Sequence, residues 1–265
     1  MPFEVEARAA RTEVLMISVI ILGSGNVATH LIHAFLKIDS IHLKQVYTRN
    51  LTDVASLKST VPTINDLSLL EQADITIIAV SDDAIAAISS NIKNSLVVHT
   101  SGTVEMNALN NSGNKGVFYL LQSFSKEKEV DFTNIPICLE AENKNDLIKL
   151  EKLASLLQGT IYHLSSIQRK KIHVAAVFVN NFTNHMYAIA HDICEDHDVP
   201  FNILQPLIQE TSQKIKNLTP KQAQTGPAKR NDTETIENHL NLLSETQQEL
   251  YLKITQSIQD HGKKL

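Results

Sequence analysis

Cysteine is scarce in this chain: only Cys138 and Cys194 occur in 265 residues, far apart and without a Cys-x-x-Cys neighbour. Neither a disulfide framework nor a thiolate metal site is indicated, and the usage suits a reducing, cytoplasmic setting. Long hydrophobic runs are also missing. The longest near the start, Leu15 to Leu22, is too short to span a bilayer, and the stretch before it mixes Glu4, Glu6, Arg8 and Arg11 without a cleavage pattern. Neither a signal peptide nor a membrane anchor is expected. No dense Lys/Arg block exists and the net charge is -5, so the electrostatic footprint of a nucleic-acid binder is lacking and small molecules are the default partners. Internal repeats and low-complexity segments are absent as well. Met16 stands directly before the first strand pattern, so residues 1–15 read as an upstream extension that the fold does not need and that is expected to be poorly ordered.

What the chain does contain is an ordinary globular balance, 43% hydrophobic and 20% charged residues. At this length two domains are the better expectation, because single cores stop growing near roughly 250 residues. The first 164 residues alternate β-branched runs with helical patterns; "MISVIIL", "LKQVYT", "DITIIAV", "SLVVHT", "GVFYLL", "IPICLEA" and "TIYHLS" read as strands. Nearly continuous apolar runs such as Ile75 to Val80 imply strands buried on both faces. From Ser166 onward the strand signal vanishes and long helical patterns follow, beginning with Ser166 to His197. The reading is an α/β fold: a Rossmann-type, doubly wound, mostly parallel sheet over 16–164, followed by a smaller all-helical domain over 165–265.

Gly23-Ser24-Gly25-Asn26-Val27-Ala28 has the form G-x-G-x-x-A, directly after a strand and before an apolar-periodic helix. In the dinucleotide fingerprint the first glycine allows the tight turn, the second lets backbone approach a pyrophosphate, and the small third residue lets helix pack on strand. The helix N-terminus then offers unsatisfied N–H groups to phosphate. The alternative is a purely structural strand-to-helix turn. The second strand ends in Thr48, Arg49 and Asn50, a hydroxyl, a guanidinium and an amide with no carboxylate, which favours the 2′-phosphate of NADP over the 2′-hydroxyl of NAD. Val80 and Ser81, and Thr100, Ser101 and Gly102, end later strands, where they would line the nicotinamide half of the groove.

The helical half carries a polar stripe. Within "KKIHVAAVFVNNFTNHMYAIAHDIC", His173, Asn180, Asn184 and His191 fall within about 40° of one face at an α-helical 100° per residue. Buried polar groups need partners, so the stripe is either a seam between helices or the wall of a ligand site. His185, His191 and His197 point to different faces, and no metal site is expected. Thr225, Gly226 and Arg230, in "TGPAKRND", form a turn that presents a guanidinium, either as a substrate contact or as a solvated surface loop. Apolar positions such as Ile189, Ile193, Leu204, Leu207 and Ile208 exceed what one small bundle hides, which predicts a homodimer through these helices.

Taken together, "LGSGNVATHL", "AVSDDAI", "VVHTSGTV", "GVFYLLQSFS", "HVAAVFVNNFTNHM" and "TGPAKRND" resemble the Rossmann-like family with a DUF2520 C-terminal domain, whose members are often named as NADP oxidoreductases. The N-terminal half is similar to coenzyme-F420-dependent NADP oxidoreductases and pyrroline-5-carboxylate reductases. The resemblance implies a Rossmann domain with a helical, dimer-forming C-terminal domain, and it alone raises hydride exchange with a deazaflavin. More distant relatives, the β-hydroxyacid dehydrogenases and ketopantoate reductases, place a lysine four residues before an asparagine on the corresponding helix. If Asn180 and Asn184 match their asparagines, that lysine position is Ala176, and His173, one turn earlier, is the substitute proton donor. The resulting expectation is an NADP-dependent oxidoreductase acting on a small carbonyl or imine substrate. Its catalytic residues are His173, Asn180 and Asn184. The rival is a non-catalytic NADP-binding sensor or partner-binding protein in which the stripe only ties helices together.

Overall fold

The computed structural model describes residues 16–57, 59–126 and 128–263, so the expected upstream extension at 1–15 lies outside the described residues. Eight strands form one sheet: β1 (Ile17–Leu22), β2 (Ile41–Tyr47), β3 (Thr63–Ile64), β4 (Ile75–Ile78), β5 (Leu96–His99), β6 (Asn114–Leu120), β7 (Pro136–Ala141) and β8 (Thr160–His163). Their order is β3-β2-β1-β4-β5-β6-β7-β8. Every neighbouring pair is parallel except β6 with β7. The seven strand-like runs of the sequence all become strands, and the doubly wound, mostly parallel sheet is the one their alternation implies. The two-residue β3 was not foreseen, because an edge strand that short leaves no pattern to read.

Ile75, Ile77 and Ile78 of β4 and Val19, Ile20, Ile21 and Leu22 of β1 are all fully buried. Side chains alternate across a strand, so full burial of consecutive residues means that both faces of the sheet are covered. The chain leaves β1 toward β2 on one side and returns at β4 on the other, which opens a crevice beyond the carboxyl ends of β1 and β4. Gly23 makes the exit from β1 possible. Its φ is +132°, which side chains resist, and a Cβ there would run into the Ala79 carbonyl at the end of β4.

The helices in chain order are α1 (Asn26–Phe35), α2 (Ile85–Ser89), α3 (Lys144–Leu156), α4 (Ser166–Ala176), α5 (Thr183–Asp196), α6 (Gln205–Lys214), α7 (Pro220–Ala223), α8 (Pro227–Arg230), α9 (Thr233–Leu240) and α10 (Glu245–Lys263). A capping box between Ser165 and Gln168 starts α4, and a π-helical turn, Val177–Phe182, joins α4 to α5. That turn corrects the geometry of the polar stripe. Its i→i+5 hydrogen bonds depart from the 100° step, so residues on opposite sides of it do not keep the common face that a continuous α-helix would give them.

The chain divides into two compact units, up to Asn180 and from Asn181 onward. The division falls past α4 rather than at 164, because α4 is bonded to the loop after β5 and to β7. In the first unit two large clusters of buried side chains pack on the sheet, one around Ile21, Phe35 and Phe118 and one around Leu22, Ile85 and Val97. The second unit buries little: among its described residues Ala228 and Ile236 are the buried apolar side chains, while Ile203, Leu207 and Leu242 are 67%, 63% and 71% exposed.

Candidate functional site

The crevice beyond β1 and β4 is a cleft of about 550 Å³ lined by Gly23, Ser24, Gly25, Asn26, Val27, Thr48, Arg49, Val80, Ser81 and Thr100. Gly25 begins α1 with extended backbone, and a Cβ there would meet nothing within 4 Å. This is the open space a pyrophosphate needs over a helix N-terminus. Ala28 is fully buried beneath the loop and serves packing. Asn50 does not line the cleft. Its Oδ1 accepts from Thr52 N–H (3.2 Å) and Thr52 Oγ1 (2.9 Å), holding the turn after β2.

The expectation that no carboxylate stands at the end of the second strand needs correction. A 3₁₀ turn, Leu51–Leu57, folds Asp53 back, so that its carboxylate accepts from Ser24 Oγ at 3.0 Å and from Asn50 Nδ2 at 3.3 Å. Thr48 Oγ1 donates to the same Ser24 Oγ at 3.1 Å. The window read in the sequence closed at Asn50; the carboxylate arrives only because the chain reverses.

At the other end of the groove the loop after β5 divides its labour. Ser101 does not face the cleft: its hydroxyl accepts from the N–H groups of Thr103 and Val104, both at 3.0 Å, and its own N–H donates to His99 Nδ1 at 3.2 Å. Gly102 meets His173 instead, and a Cβ at Gly102 would collide with the imidazole. The Tyr119 hydroxyl of β6 lies 2.9 Å from His173 Nδ1, with the two rings edge to face. One turn before His173, Arg169 is 1% exposed; its Nε donates to the Ser101 carbonyl (3.1 Å), one terminal nitrogen to Glu140 (3.1 Å) and the other to the Val104 carbonyl. Glu140 also receives the N–H (2.9 Å) and hydroxyl (2.7 Å) of Ser166, tying the start of α4 to β7.

None of Tyr119, Arg169, Glu140, His99 and Asp53 was singled out from the sequence. Arg169 hid in the run "QRKK", which reads as a solvated face; its place four residues before His173, on the same helical face, was the available signal. Asn180 is exposed within the π turn. Asn184, Thr225, Gly226 and Arg230 belong to the second unit. There Gly226 precedes α8 with φ +102°, Asn184 is exposed, and Arg230 stands 3.7 Å from Asp232, which caps α9. Among the described residues His191, Asp192 and Glu195 have ligand atoms close enough to share a metal ion, but all three are exposed on one face of α5.

No curated protein matches the chain. Residues 135–258 match the domain of unknown function DUF2520. A crystal structure from Bacteroides fragilis, proposed to be an NADP oxidoreductase, is 37% identical over 93% of this chain and 99% of that one, with a TM-score of 0.85. This chain belongs to the DUF2520 family. At the level of fold, the DUF2520 protein is also similar to an imine reductase from Myxococcus stipitatus in complex with NADP+ (13% identity, 93% and 94% covered, TM-score 0.67). A pyrroline-5-carboxylate reductase from Coxiella burnetii is similar too (14% identity, 94% and 98% covered, TM-score 0.56).

The site of this DUF2520 protein also holds a titration switch for stability. His99, fully buried at the end of β5, has its pKa pushed down to about 4 by burial, with the Arg169 charge acting in the same direction. Unfolded, it would titrate near 6.5. Below that pH the unfolded chain takes up a proton that the folded one refuses, so stability falls as pH drops through 6.5 and levels off below 4, by about 3 kcal/mol in total. Urea unfolding of the wild type and His99→Gln at pH 7 and pH 4.5 checks this. The variant should lose less stability between the two pH values, and equal losses would overturn the assignment.

Proposed function

We propose that this DUF2520 protein is an NADP(H)-dependent oxidoreductase that moves hydride between the nicotinamide and a small carbonyl or imine substrate. The observation that carries the reading is the seating of His173 against Gly102, at the strand ends that continue the G-x-G-x-x-A cleft toward the nicotinamide half. A titratable imidazole at that place can supply the proton that accompanies the hydride. The relatives point the same way: one is proposed to be an NADP oxidoreductase and another was crystallised with NADP+.

In this reading the open backbone at Gly25 receives the pyrophosphate, and Arg49 pairs with the 2′-phosphate. Bound nicotinamide supplies or accepts the hydride. His173 handles the proton, and substrate orientation is assigned to Asn180 within the π turn. Asp53 works against the 2′-phosphate, because a carboxylate bonded to Ser24 repels it. Arg49 must therefore outweigh a like charge, which a charge-assisted contact of about 1.5–3 kcal/mol can do.

Titration calorimetry should show NADPH binding more tightly than NADH, and Arg49→Ala should weaken NADPH binding about tenfold or more while leaving NADH nearly unchanged. Equal affinities in the wild type would overturn the preference. Once a screen of small carbonyl and imine compounds has found one that oxidises NADPH, His173→Ala should lower kcat by about 10²–10⁴-fold at unchanged NADPH affinity, far more than any fall in melting temperature accounts for. A loss of turnover that merely follows a lower melting temperature would mark His173 as structural. If no compound in a broad screen is turned over and bound NADPH leaves no room beside its reactive carbon, the reading as a cofactor-binding protein becomes the better one.

The second unit is assigned to assembly. With Ala228 and Ile236 as its buried apolar residues and Ile203, Leu207 and Leu242 bare, its helices expose more apolar surface than a monomer sustains, and a second copy of the same unit supplies matching helices. Light scattering at micromolar concentration should give twice the chain mass of 29.5 kDa; a monomer would refute the assignment.

A further inference from the structure

Tyr119 is a buried residue of β6 whose phenol the reading above does not use. Its hydroxyl is 2.9 Å from His173 Nδ1, and among the described residues this is the hydrogen bond it makes. The same nitrogen is packed against Gly102, so the ring cannot swing away from the phenol on that side. His173 Nε2 has no protein hydrogen-bond partner among the described residues.

A neutral imidazole has one proton to place, and the two choices are not equivalent. If Nδ1 carried it, Nδ1–H would donate to the phenol oxygen, and the phenol O–H, in a residue only 7% exposed, would have no protein acceptor among the described residues. An unsatisfied buried donor is costly. If Nε2 carries it, the phenol donates to Nδ1 and both groups are satisfied. The phenol stays protonated at any working pH, since burial pushes its pKa up to about 12.

We propose that Tyr119 is the positioning residue for His173. Its hydroxyl donates to Nδ1, the neutral ring carries its proton on Nε2, and the substrate this arrangement suits presents a lone pair, a carbonyl oxygen or imine nitrogen, to that N–H. The inference rests on the assignment of His173 as the proton-handling group. It also changes how the proton is delivered. As hydride from the reduced nicotinamide reaches the substrate carbon, the Nε2–H bond breaks and a new O–H or N–H bond forms on the substrate. In step, the Tyr119 O–H bond breaks and an N–H bond forms at Nδ1, so the imidazole stays neutral. The site is reset when Nε2 takes a proton from water and the Nδ1 proton returns to the phenolate, whose pKa of about 12 drives the return. A neutral, tautomer-fixed imidazole backed by a donor is thereby both hydrogen-bond donor and proton conduit.

The test is long-range nitrogen–proton NMR on the full chain labelled with nitrogen-15 in histidine, with His173 assigned by its loss in His173→Gln. In the wild type at pH 7.5, His173 should show a protonated Nε2 and an unprotonated Nδ1 whose signal is displaced from that of a free imidazole nitrogen by the phenol hydrogen bond. In Tyr119→Phe that displacement should vanish, while NADPH affinity by calorimetry stays within about twofold of wild type. A wild-type His173 protonated at Nδ1, or an Nδ1 signal identical in wild type and Tyr119→Phe, would overturn the proposal. Should Tyr119→Phe fail to fold, the wild-type tautomer alone decides. The two layers fail separately: a protein with the tautomer lock that binds no NADPH loses the oxidoreductase reading, whereas one that binds NADPH with Nδ1 protonated loses the lock.

Discussion

A guanidinium taken almost wholly out of water organises the end of the groove where the loop after β5 meets β7 and α4. Arg169 has given up hydration, and each of its nitrogens is repaid by a carbonyl or carboxylate: Ser101 and Val104 in the loop after β5, and Glu140 on β7. Burial presses its pKa below the ordinary value while the Glu140 charge holds it up. An ion pair of this kind is not a reliable source of net stability, but removing one partner strands the other, so the arrangement resists slippage. Three elements distant in sequence are thus locked at one point. Because α4 is rigid between Arg169 and His173, the lock also sets where the imidazole sits, one turn farther on and against Gly102.

The two ends of the groove are built by different means. The phosphate end is mostly backbone: a φ of +132° at Gly23, an unobstructed Gly25 and the first turn of α1. Such a site depends on what is absent from the side chains. The other end is made of side chains from β5, β6, β7 and α4, with Ser101, Arg169 and Glu140 bonded to one another's elements, His99 buried beside them with its Nε2 unpartnered among the described residues, and His173 and Gly102 at the edge of that network. Backbone sites can be written in a short motif. Networks of this second kind cannot, because the bonds that join their elements link residues 26 to 68 positions apart.

The second unit inverts the usual relation of core to surface. Its helices have ordinary amphipathic patterns and ordinary caps, such as Asp232 on α9 and Thr219 with Gln222 on α7. Their apolar faces nevertheless find few partners within the chain. Local signals suffice to start and stop a helix, whereas burial of its face is a property of whatever packs on it. That contrast explains why the helices were legible and the unit's boundary was not: α4 reads as the start of the helical half, yet its hydrogen bonds belong to the sheet.

By itself, the sequence determined the strand-like runs, the parallel and doubly wound character of the sheet, the placement of the dinucleotide-type turn between β1 and α1, and the change to helices after β8. These follow from periodicity, β-branched content and glycine spacing, all of which act over a few residues. Only the tertiary structure decided that Asp53 returns to Ser24, that Ser101 turns inward and Gly102 meets His173, that a π turn separates His173 from Asn184 in phase, and that Tyr119 and Arg169 stand behind the imidazole. On strands buried on both faces, as β6 is, alternation carries no information about which side chain looks where, so Tyr119 was indistinguishable from its core neighbours. Its contact with His173 exists only because β6 and α4, fifty-four residues apart at that point, come within hydrogen-bonding distance.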